Sequence, residues 1–240
     1  MLAPAIAIVL AAAHTVPPFA PEERMEYSVR YLGIQVGKAR ISVGQPEGPI
    51  LPVFLESRTS GIVRIVDVRQ QIATHLDLDT LLPRSSSLEA VEAGYRHADT
   101  TLFDHVAGKA TVRQKGKYDN TYVVEVPAGT LDFVALVFRL RMLPLEPGMR
   151  HEFHVLAGRN LRPVTAEVLS REAVKTGAGT FTALKVRVPT GFTGKFSEKH
   201  PTYVWFSDDA RRVVVQITTE FSIGQATAGL TAYHPGAPPG

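Results

Sequence analysis

Thr130-Leu-Asp-Phe-Val-Ala-Leu-Val-Phe-Arg-Leu-Arg-Met-Leu-Pro144 is the one stretch of this chain that predicts a helix. The Thr130 hydroxyl suits an N-cap, and Asp132 places negative charge at the positive end of the helix dipole. Pro144 ends the helix. Eight of the ten residues from Leu131 to Leu140 are apolar, which predicts a helix buried on nearly all sides. At about 12 residues it would be only ~18 Å long, too short to cross a bilayer.

The rest of the chain has the two-residue alternation of β-strands. Near the start, Tyr27, Val29 and Tyr31 alternate with polar residues, and similar runs recur between Gly-, Pro- and Asn-rich turns. No internal repeat or linker divides the chain. We therefore predict one domain over residues 25–233, all-β and mainly antiparallel. Its sheet is a strongly curved sheet or partly open β-barrel wrapped around one central apolar helix.

Composition excludes several classes of protein. The 240 residues are 45% hydrophobic and 20% charged, which is enough for a packed core. A net charge of +3 without a basic block gives no reason to expect nucleic acid as a partner. The chain has no cysteine, so disulfides, thiolate metal sites, cysteine nucleophiles and a lipobox anchor are excluded.

The N-terminus predicts export. Residues 2–13 are apolar and uncharged, and Ala11 and Ala13 supply the small residues of a signal-peptidase site, although no basic residue precedes the run. An N-terminal anchor or an ordinary core segment is the alternative. We expect a signal peptide at 1–13, an extended lead-in at 14–24 and a disordered tail at 234–240, and hence a periplasmic protein that is not a lipoprotein.

Two sets of residues suggest a metal site. His75, Asp77 and Asp79 alternate along a predicted strand and so share one face, although the solvent side of an ordinary strand explains them as well. His151 and His154 point to opposite faces if, as we expect, they lie on a strand. We predict no metal site.

No sequence pattern for catalysis or cofactor binding is present. Nucleophile-elbow, dinucleotide, phosphate-loop and zinc-protease motifs are all missing from the sequence. The acidic segment 207–212 predicts a hairpin turn, since Asp and Ser side chains bond local backbone groups. We therefore expect a protein that is not an enzyme and has no catalytic residues and no cofactor.

An apolar cleft is the one ligand site that the sequence suggests. Aromatic residues lie within and after the glycine-rich segment 190–197, and the helix offers apolar side chains opposite a sheet. Strand aromatics more often belong to the core. The predicted lining residues are Phe133, Val137, Phe192, Phe196 and Trp205.

Arg139 and Arg141 stand out within the apolar helix. A buried guanidinium without a partner is unfavourable. Either both side chains reach solvent at the helix C-terminus, where positive charge is favoured, or one pairs with a buried carboxylate.

Four segments in order resemble a known family. They are Pro21-Glu-Glu-Arg-Met-Glu-Tyr-Ser-Val-Arg-Tyr-Leu-Gly-Ile-Gln-Val-Gly-Lys-Ala39, Asp132 to Gly148, Thr176-Gly-Ala-Gly-Thr-Phe-Thr-Ala-Leu-Lys-Val186, and Val204-Trp-Phe-Ser-Asp-Asp-Ala-Arg-Arg-Val213. Together they resemble the bacterial domain-of-unknown-function family 3108 over almost the whole mature chain. The resemblance implies a β-rich, exported envelope protein and supplies no activity or site residues.

Three functions compete at this stage. The first is a non-enzymatic periplasmic binding or carrier module for an apolar, lipid-like ligand, bound in a cleft between helix and sheet. The second is a structural or assembly factor of the cell envelope that acts through contacts with envelope proteins. An enzyme is the third and the least expected. The sequence does not identify the ligand or partner, and it predicts no stable transmembrane span.

Overall fold

The alternating segments form the strands of this protein. A computed structural model describes residues 17–59, 68–92, 95–117, 119–189 and 200–237, which contain fourteen strands and one helix. The strands are β1 (Arg24–Tyr31), β2 (Ile34–Val43), β3 (Ile50–Thr59), β4 (Val68–Asp77), β5 (Pro83–Glu92), β6 (Tyr95–Asp104), β7 (Lys109–Lys115), β8 (Asn120–Glu125), β9 (Arg150–Ala157), β10 (Asn160–Thr176), β11 (Gly179–Val188), β12 (Thr202–Ser207), β13 (Val214–Glu220) and β14 (Gln225–His234). The helix, α1, spans Phe133–Met142.

All fourteen strands belong to one antiparallel sheet in the order β8-β7-β6-β5-β4-β3-β2-β1-β14-β13-β12-β11-β10-β9. The first and last strands pair in its middle, where Tyr27 lies opposite Leu230. The free edges are therefore β8 and β9, the two strands that α1 connects. This confirms the predicted all-β, antiparallel class, with a sheet that is open at one seam.

Side chains bridge the seam between the two edges. A small apolar cluster joins Ala110, Val112 and Val126, on the β7–β8 side, to Leu156 of β9. The segment before the helix adds backbone bonds, since the Leu131 N–H donates to the His154 carbonyl at 2.8 Å and the Leu131 carbonyl accepts from the Leu156 N–H at 2.8 Å. The edges are thus covered although β8 and β9 do not pair.

Because neighbouring strands are antiparallel and consecutive, their connections alternate between two ends of the sheet. We call one end the tip end; it carries the β1–β2 and β13–β14 turns. We call the other the helix end; it carries the β6–β7 and β12–β13 turns, α1, and the start of β1 and the end of β14.

The helix begins two residues later than the sequence predicts. Its N-cap is Asp132, whose carboxylate accepts the Ala135 N–H at 2.7 Å and the Thr74 hydroxyl at 2.8 Å. Thr130 is not the cap and donates its hydroxyl to the Pro127 carbonyl. The reason is that Leu131 bonds to β9 and so keeps a strand-like backbone. Burial raises the pKa of Asp132, and its hydrogen bonds oppose that rise.

Arg141 pairs with a buried carboxylate, which is the second of the two alternatives considered for the helix arginines. Its side chain is fully buried and binds Glu23 through two bonds, Nη1 to Oε2 and Nη2 to Oε1, both 2.7 Å long. Nη2 also donates to the Arg211 carbonyl at 2.9 Å, and the Tyr233 hydroxyl donates to Glu23 at 2.9 Å. Arg139 is exposed. This buried network joins the residue before β1, the end of α1, the β12–β13 turn and β14.

The first and last described segments of the chain meet beside this network. Phe19 is buried, and its ring lies 4.8 Å from that of Phe138 in an edge-on arrangement. Sequence reasoning placed a disordered tail at 234–240, but His234 ends β14 and the Ala237 N–H donates to the Pro21 carbonyl at 3.0 Å. The predicted signal peptide at 1–13 and residues 238–240 lie outside the described residues.

Removing one partner of the buried pair should destabilise the fold. We expect Glu23→Gln to lower the free energy of unfolding by about 3–5 kcal/mol, because it leaves the buried Arg141 charge without a counter-ion. The exposed Arg150–Glu167 pair is the matched control, and Arg150→Gln should cost less than about 1 kcal/mol. Urea unfolding followed by circular dichroism measures both changes.

The double variant Glu23→Leu with Arg141→Met separates charge from packing. It should recover most of the stability that Glu23→Gln loses, since no unpaired charge stays buried. Equal losses in Glu23→Gln and Arg150→Gln would contradict the role assigned to this network.

Candidate functional site

A cavity of about 1100 Å³ lies along the tip-end half of strands β1–β7. Ile41 and Leu55 point into the core, so the alternation of the strands turns Lys38, Arg40 and Arg58 to the opposite face. We therefore place the cavity on the outer face of the sheet, away from the helix.

Cations from adjacent strands lie side by side in this cavity. Lys38 of β2 is directly opposite Arg58 of β3, which is directly opposite Arg69 of β4. The row continues through Val91 of β5 to Arg96 of β6. Directly opposed residues have Cβ atoms about 4.5–5.5 Å apart, and like charges at such positions destabilise a sheet. We call Lys38, Arg58, Arg69 and Arg96 the basic row.

The next row on the same face carries charges of alternating sign. Glu26, Arg40 and Glu56 oppose one another in turn, so that their charges alternate. The Arg40 guanidinium lies 3.8 Å from the Glu56 carboxylate. Within the described part of the chain, by contrast, Lys38 and Arg58 make no ion pair. The same strands thus carry one row whose charges alternate in sign and one row in which Lys38 lies directly opposite Arg58.

The whole cavity has a positive balance. It is lined by six cationic side chains and four carboxylates, which leaves a net charge of +2 with His97 neutral. The cations are Lys38, Arg40, Arg58, Arg69, Arg96 and Lys115, and the carboxylates are Glu26, Glu56, Glu89 and Asp119. Such a groove attracts acidic ligands.

A second cavity, of about 450 Å³, lies at the C-terminal end of α1. Its charged residues already have protein partners. Arg141 binds Glu23, and Asp208 receives Arg171 Nε at 2.7 Å and Arg212 Nη1 at 3.1 Å. We assign this cavity no ligand because its charged side chains are already paired within the protein.

Three of the five residues predicted to line an apolar cleft, Phe133, Val137 and Trp205, lie within the described part of the chain. Val137 is buried in the main core and Phe133 is half-buried at the start of α1. Trp205 alternates with the core residues Val204 and Phe206 in β12, so its ring points to the other face of the sheet. Phe192 and Phe196 lie outside the described residues. Val137, Phe133 and Trp205 do not line either of the two cavities.

The surroundings of Trp205 explain its burial on the outer face. Its indole Nε1–H donates to the Glu172 carboxylate at 2.7 Å, and the Lys185 ammonium lies 5.1 Å from the ring centre. The Trp205 hydrogen bond lowers the pKa of Glu172. The far end of the β10–β11 hairpin also bonds to β14, through the Ala178 N–H and the Leu230 carbonyl. Trp205 therefore serves packing between this hairpin and the sheet.

The residues considered for a metal site have other roles. Asp77 closes the β4–β5 turn by accepting the Thr80 N–H and hydroxyl at 2.9 Å, and it pairs with Arg84. Asp79 lies in that turn rather than in the strand, and His75 Nδ1 is 3.1 Å from the Ser85 hydroxyl. No group of three metal-ligating side chains occurs among the described residues.

The acidic segment 207–212 is the hairpin turn that its sequence predicts. The Asp209 carboxylate accepts the Ser207 hydroxyl and the backbone N–H groups of Arg211 and Arg212. These bonds fix the turn whose Arg211 carbonyl receives Arg141.

Sequence reasoning missed the basic row. Its four members are far apart in the chain and come together only when the register of five strands is known. One sequence feature could have indicated the row. Arg58, Arg69 and Arg96 each lie next to the terminal residue of a strand, at the end of the strand that faces the tip end.

Comparison with known proteins defines the family and the fold. The model of the family described as "Protein of unknown function (DUF3108)" matches residues 26–231, which confirms the resemblance seen in the sequence. A β-barrel-like protein of the DUF1849 family from Brucella abortus has a similar structure. Its TM-score is 0.60 at 10% identity, and the match covers 90% of this chain and 98% of that one.

A protein of the DUF1089 family from Pseudomonas aeruginosa also matches, with a TM-score of 0.39 and 10% identity over 90% of this chain and 95% of that one. That score is too low to support an argument. No curated protein matches the chain. Among the described residues, no helix is both long and apolar enough to span a membrane.

The Asp77–Arg84 pair allows a prediction about pH. The hydrogen bond from Arg84 is the main cause that lowers the pKa of Asp77 to about 2. A lowered pKa in the folded state adds stability that is present above the ordinary pKa of an aspartate and is lost as the pH falls through about 2. Arg84→Gln should therefore raise the pKa of Asp77 towards about 4.

Carbon-detected NMR titration of the Asp77 carboxyl measures this shift directly. The stability difference between wild type and Arg84→Gln should be largest near neutral pH and vanish at the acid end of the titration. An unchanged Asp77 titration in Arg84→Gln would show that the turn, and not Arg84, sets the pKa.

Proposed function

We propose that this chain, which belongs to the DUF3108 family of proteins of unknown function, is a non-enzymatic binding module that holds an acidic ligand in the groove of the basic row. The observation that carries the proposal is the direct opposition of Lys38, Arg58 and Arg69 on three adjacent strands. An anion across this row would relieve the repulsion between Lys38 and Arg58, so binding and the local register favour each other.

The spacing of the row indicates the shape of the ligand. Adjacent strands are about 4.8 Å apart, so the cations of β2, β3 and β4 span ~10 Å, and Arg96 extends the row to ~19 Å. A cavity of about 1100 Å³ is far larger than a single inorganic anion needs. We therefore propose an elongated ligand with more than one negative charge.

The lipid-like ligand that the sequence suggests fits this groove through its headgroup. A phosphate-bearing headgroup offers several negative oxygens, and arginine guanidinium groups bind such oxygens with two parallel hydrogen bonds. The part recognised is then the acidic head, held on the outer face, rather than an acyl chain held between helix and sheet.

The proposal includes two further expectations from the sequence. One is export to the periplasm, for which the apolar run at residues 2–13 is the support. The other is the curvature of the sheet around α1, for which the burial of seven of the ten helix residues is the support. We expect neither a cofactor nor a nucleic-acid partner.

Reversing the central charge of the row tests the proposal. We expect Arg58→Glu to weaken binding of tripolyphosphate by about tenfold or more, because it turns an attractive charge into a repulsive one. It should also raise the free energy of unfolding by about 0.2–1 kcal/mol, since Glu at position 58 would oppose two cations. Isothermal titration calorimetry and urea unfolding measure the two effects.

Arg162→Glu is the matched control. Arg162 is an exposed strand arginine of β10 that does not line the cavity, so its reversal should leave the affinity within about twofold. Wild-type affinity should fall as salt is added, and the Arg58→Glu variant should show a smaller salt dependence. Equal affinities of Arg58→Glu and Arg162→Glu would rule out the groove as the site.

A further inference from the structure

Two neighbouring turns at the tip end expose large apolar side chains. In the β1–β2 turn, Leu32 is 59% exposed and Ile34 is 60% exposed. In the β13–β14 turn, Phe221 is 41% exposed and Ile223 is 73% exposed. We call these four residues the apolar tip. Single exposed apolar residues are common, but a cluster of four on one end of a protein marks an interaction site.

The two turns form one rigid unit. The Leu32 N–H donates to the Gln225 carbonyl at 3.4 Å, and the Tyr31 hydroxyl donates to the Ile223 carbonyl. The rings of Tyr31 and Phe221 meet edge-on, 6.3 Å between centres. Leu32 also covers Gly224 so closely that a Cβ at position 224 would lie 2.2 Å from its Cδ2. The tip is therefore preorganised, which lowers the entropy lost on binding.

Leu32 occupies a position that local backbone preferences disfavour. Its φ is +50°, followed by Gly33 at +82°, so the two-residue turn has two positive φ values as a type I′ hairpin turn does. Asn or Asp is strongly preferred at the first position, and a leucine there is strained. Leu32 packs on Gly224, but more than half of its side chain stays exposed in a strained conformation, which points to a role in binding.

Charge at the same end of the sheet indicates the partner. The groove of the basic row reaches Gln35, the neighbour of Ile34 in β2. Arg58 and Arg96 lie next to the tip-end termini of β3 and β6. An apolar projection beside exposed cations matches a bilayer with anionic headgroups, where side chains enter the acyl boundary and cations face the headgroups.

We propose that the apolar tip is a membrane-docking surface, and that it inserts into the interface of a bilayer containing anionic lipid while the basic row faces the headgroups. The proposal rests on the tip residues and not on the ligand proposed for the groove. Tyr31 lies at the base of the tip, where an aromatic ring with a hydroxyl suits the boundary between headgroups and chains.

The full-length chain can be tested by flotation with two kinds of vesicle, phosphatidylcholine alone and phosphatidylcholine mixed with phosphatidylglycerol. Leu32→Asn is the informative variant, because asparagine suits the positive φ and should keep or improve the stability of the turn. We expect Leu32→Asn to reduce partitioning to both kinds of vesicle by about tenfold.

Val106→Ser is the matched control. Val106 is fully exposed, but it lies in the β6–β7 turn at the helix end, so partitioning of this variant should equal that of wild type. Arg58→Glu should lower partitioning only to vesicles that contain phosphatidylglycerol. This difference separates the tip from the groove, because tripolyphosphate binding should be lost in Arg58→Glu and kept in Leu32→Asn.

Three results would overturn the proposal. They are the absence of wild-type binding to both kinds of vesicle, unchanged partitioning of Leu32→Asn, and an equal loss in Leu32→Asn and Val106→Ser. Sedimentation velocity provides an additional readout. A dimer that Leu32→Asn abolishes, without vesicle binding by wild type, would assign the tip to a second copy of this chain instead.

Discussion

The buried pair between Arg141 and Glu23 is the contact on which the arrangement of this molecule depends, because it joins the beginning, middle and end of the chain at one point. Glu23 precedes β1, Arg141 ends the helix, and Tyr233 of β14 donates to the same carboxylate. Burying two charges is unfavourable unless geometry and hydrogen bonding are nearly complete. Here the pair is bidentate, and the Arg211 carbonyl accepts a further hydrogen bond from Arg141 Nη2. A polar network of this kind tolerates one arrangement of its elements, whereas apolar packing alone tolerates several.

The topology explains why such a contact is needed. Every pairing in the sheet except β1 with β14 joins strands that are consecutive in the chain, so most of the structure consists of local hairpins. Closing β1 on β14 brings together the two ends of the domain, which is the contact with the largest loss of chain entropy. The network lies beside that junction and ties it to the helix, which connects the two edge strands. The helix end therefore concentrates the interactions that make one fold out of two series of hairpins.

The sequence predicts the local elements of this fold but not the contacts between distant strands. Alternation, one apolar helix and the Asp209 turn are local signals, and the structure confirms each of them. The sequence predicts Thr130 as the N-cap, but Asp132 takes this role because the Leu131 backbone hydrogen-bonds to β9. That contact is between segments distant in the chain, so a local sequence pattern does not contain it. The direction of the Trp205 ring is likewise not contained in a local pattern, since only its alternation with two fully buried neighbours in β12 shows where it points. The basic row needs the register of five strands, which no hydrophobic pattern contains. The family resemblance supplied a fold and no site.

A contrast between the two ends of the sheet separates the residues that hold the fold from those available for function. At the helix end, three carboxylates have partners: Asp132 caps α1, Glu23 binds Arg141, and Asp209 closes its turn. At the tip end, cations oppose cations, and a leucine takes a left-handed conformation to project into solvent. Each of these tip-end features makes the free protein less stable than an ordinary surface residue would. Among the described residues, the other non-glycine positions with positive φ, Glu22, Leu81 and Arg212, lie at the helix end, so backbone strain alone does not distinguish the two ends. The exposure of Leu32 and the direct opposition of Lys38 and Arg58 do distinguish them, and these features indicate that the tip end contacts something else. The row of Glu26, Arg40 and Glu56 beside the basic row strengthens the inference, because it shows that the same strands can place opposite charges next to each other.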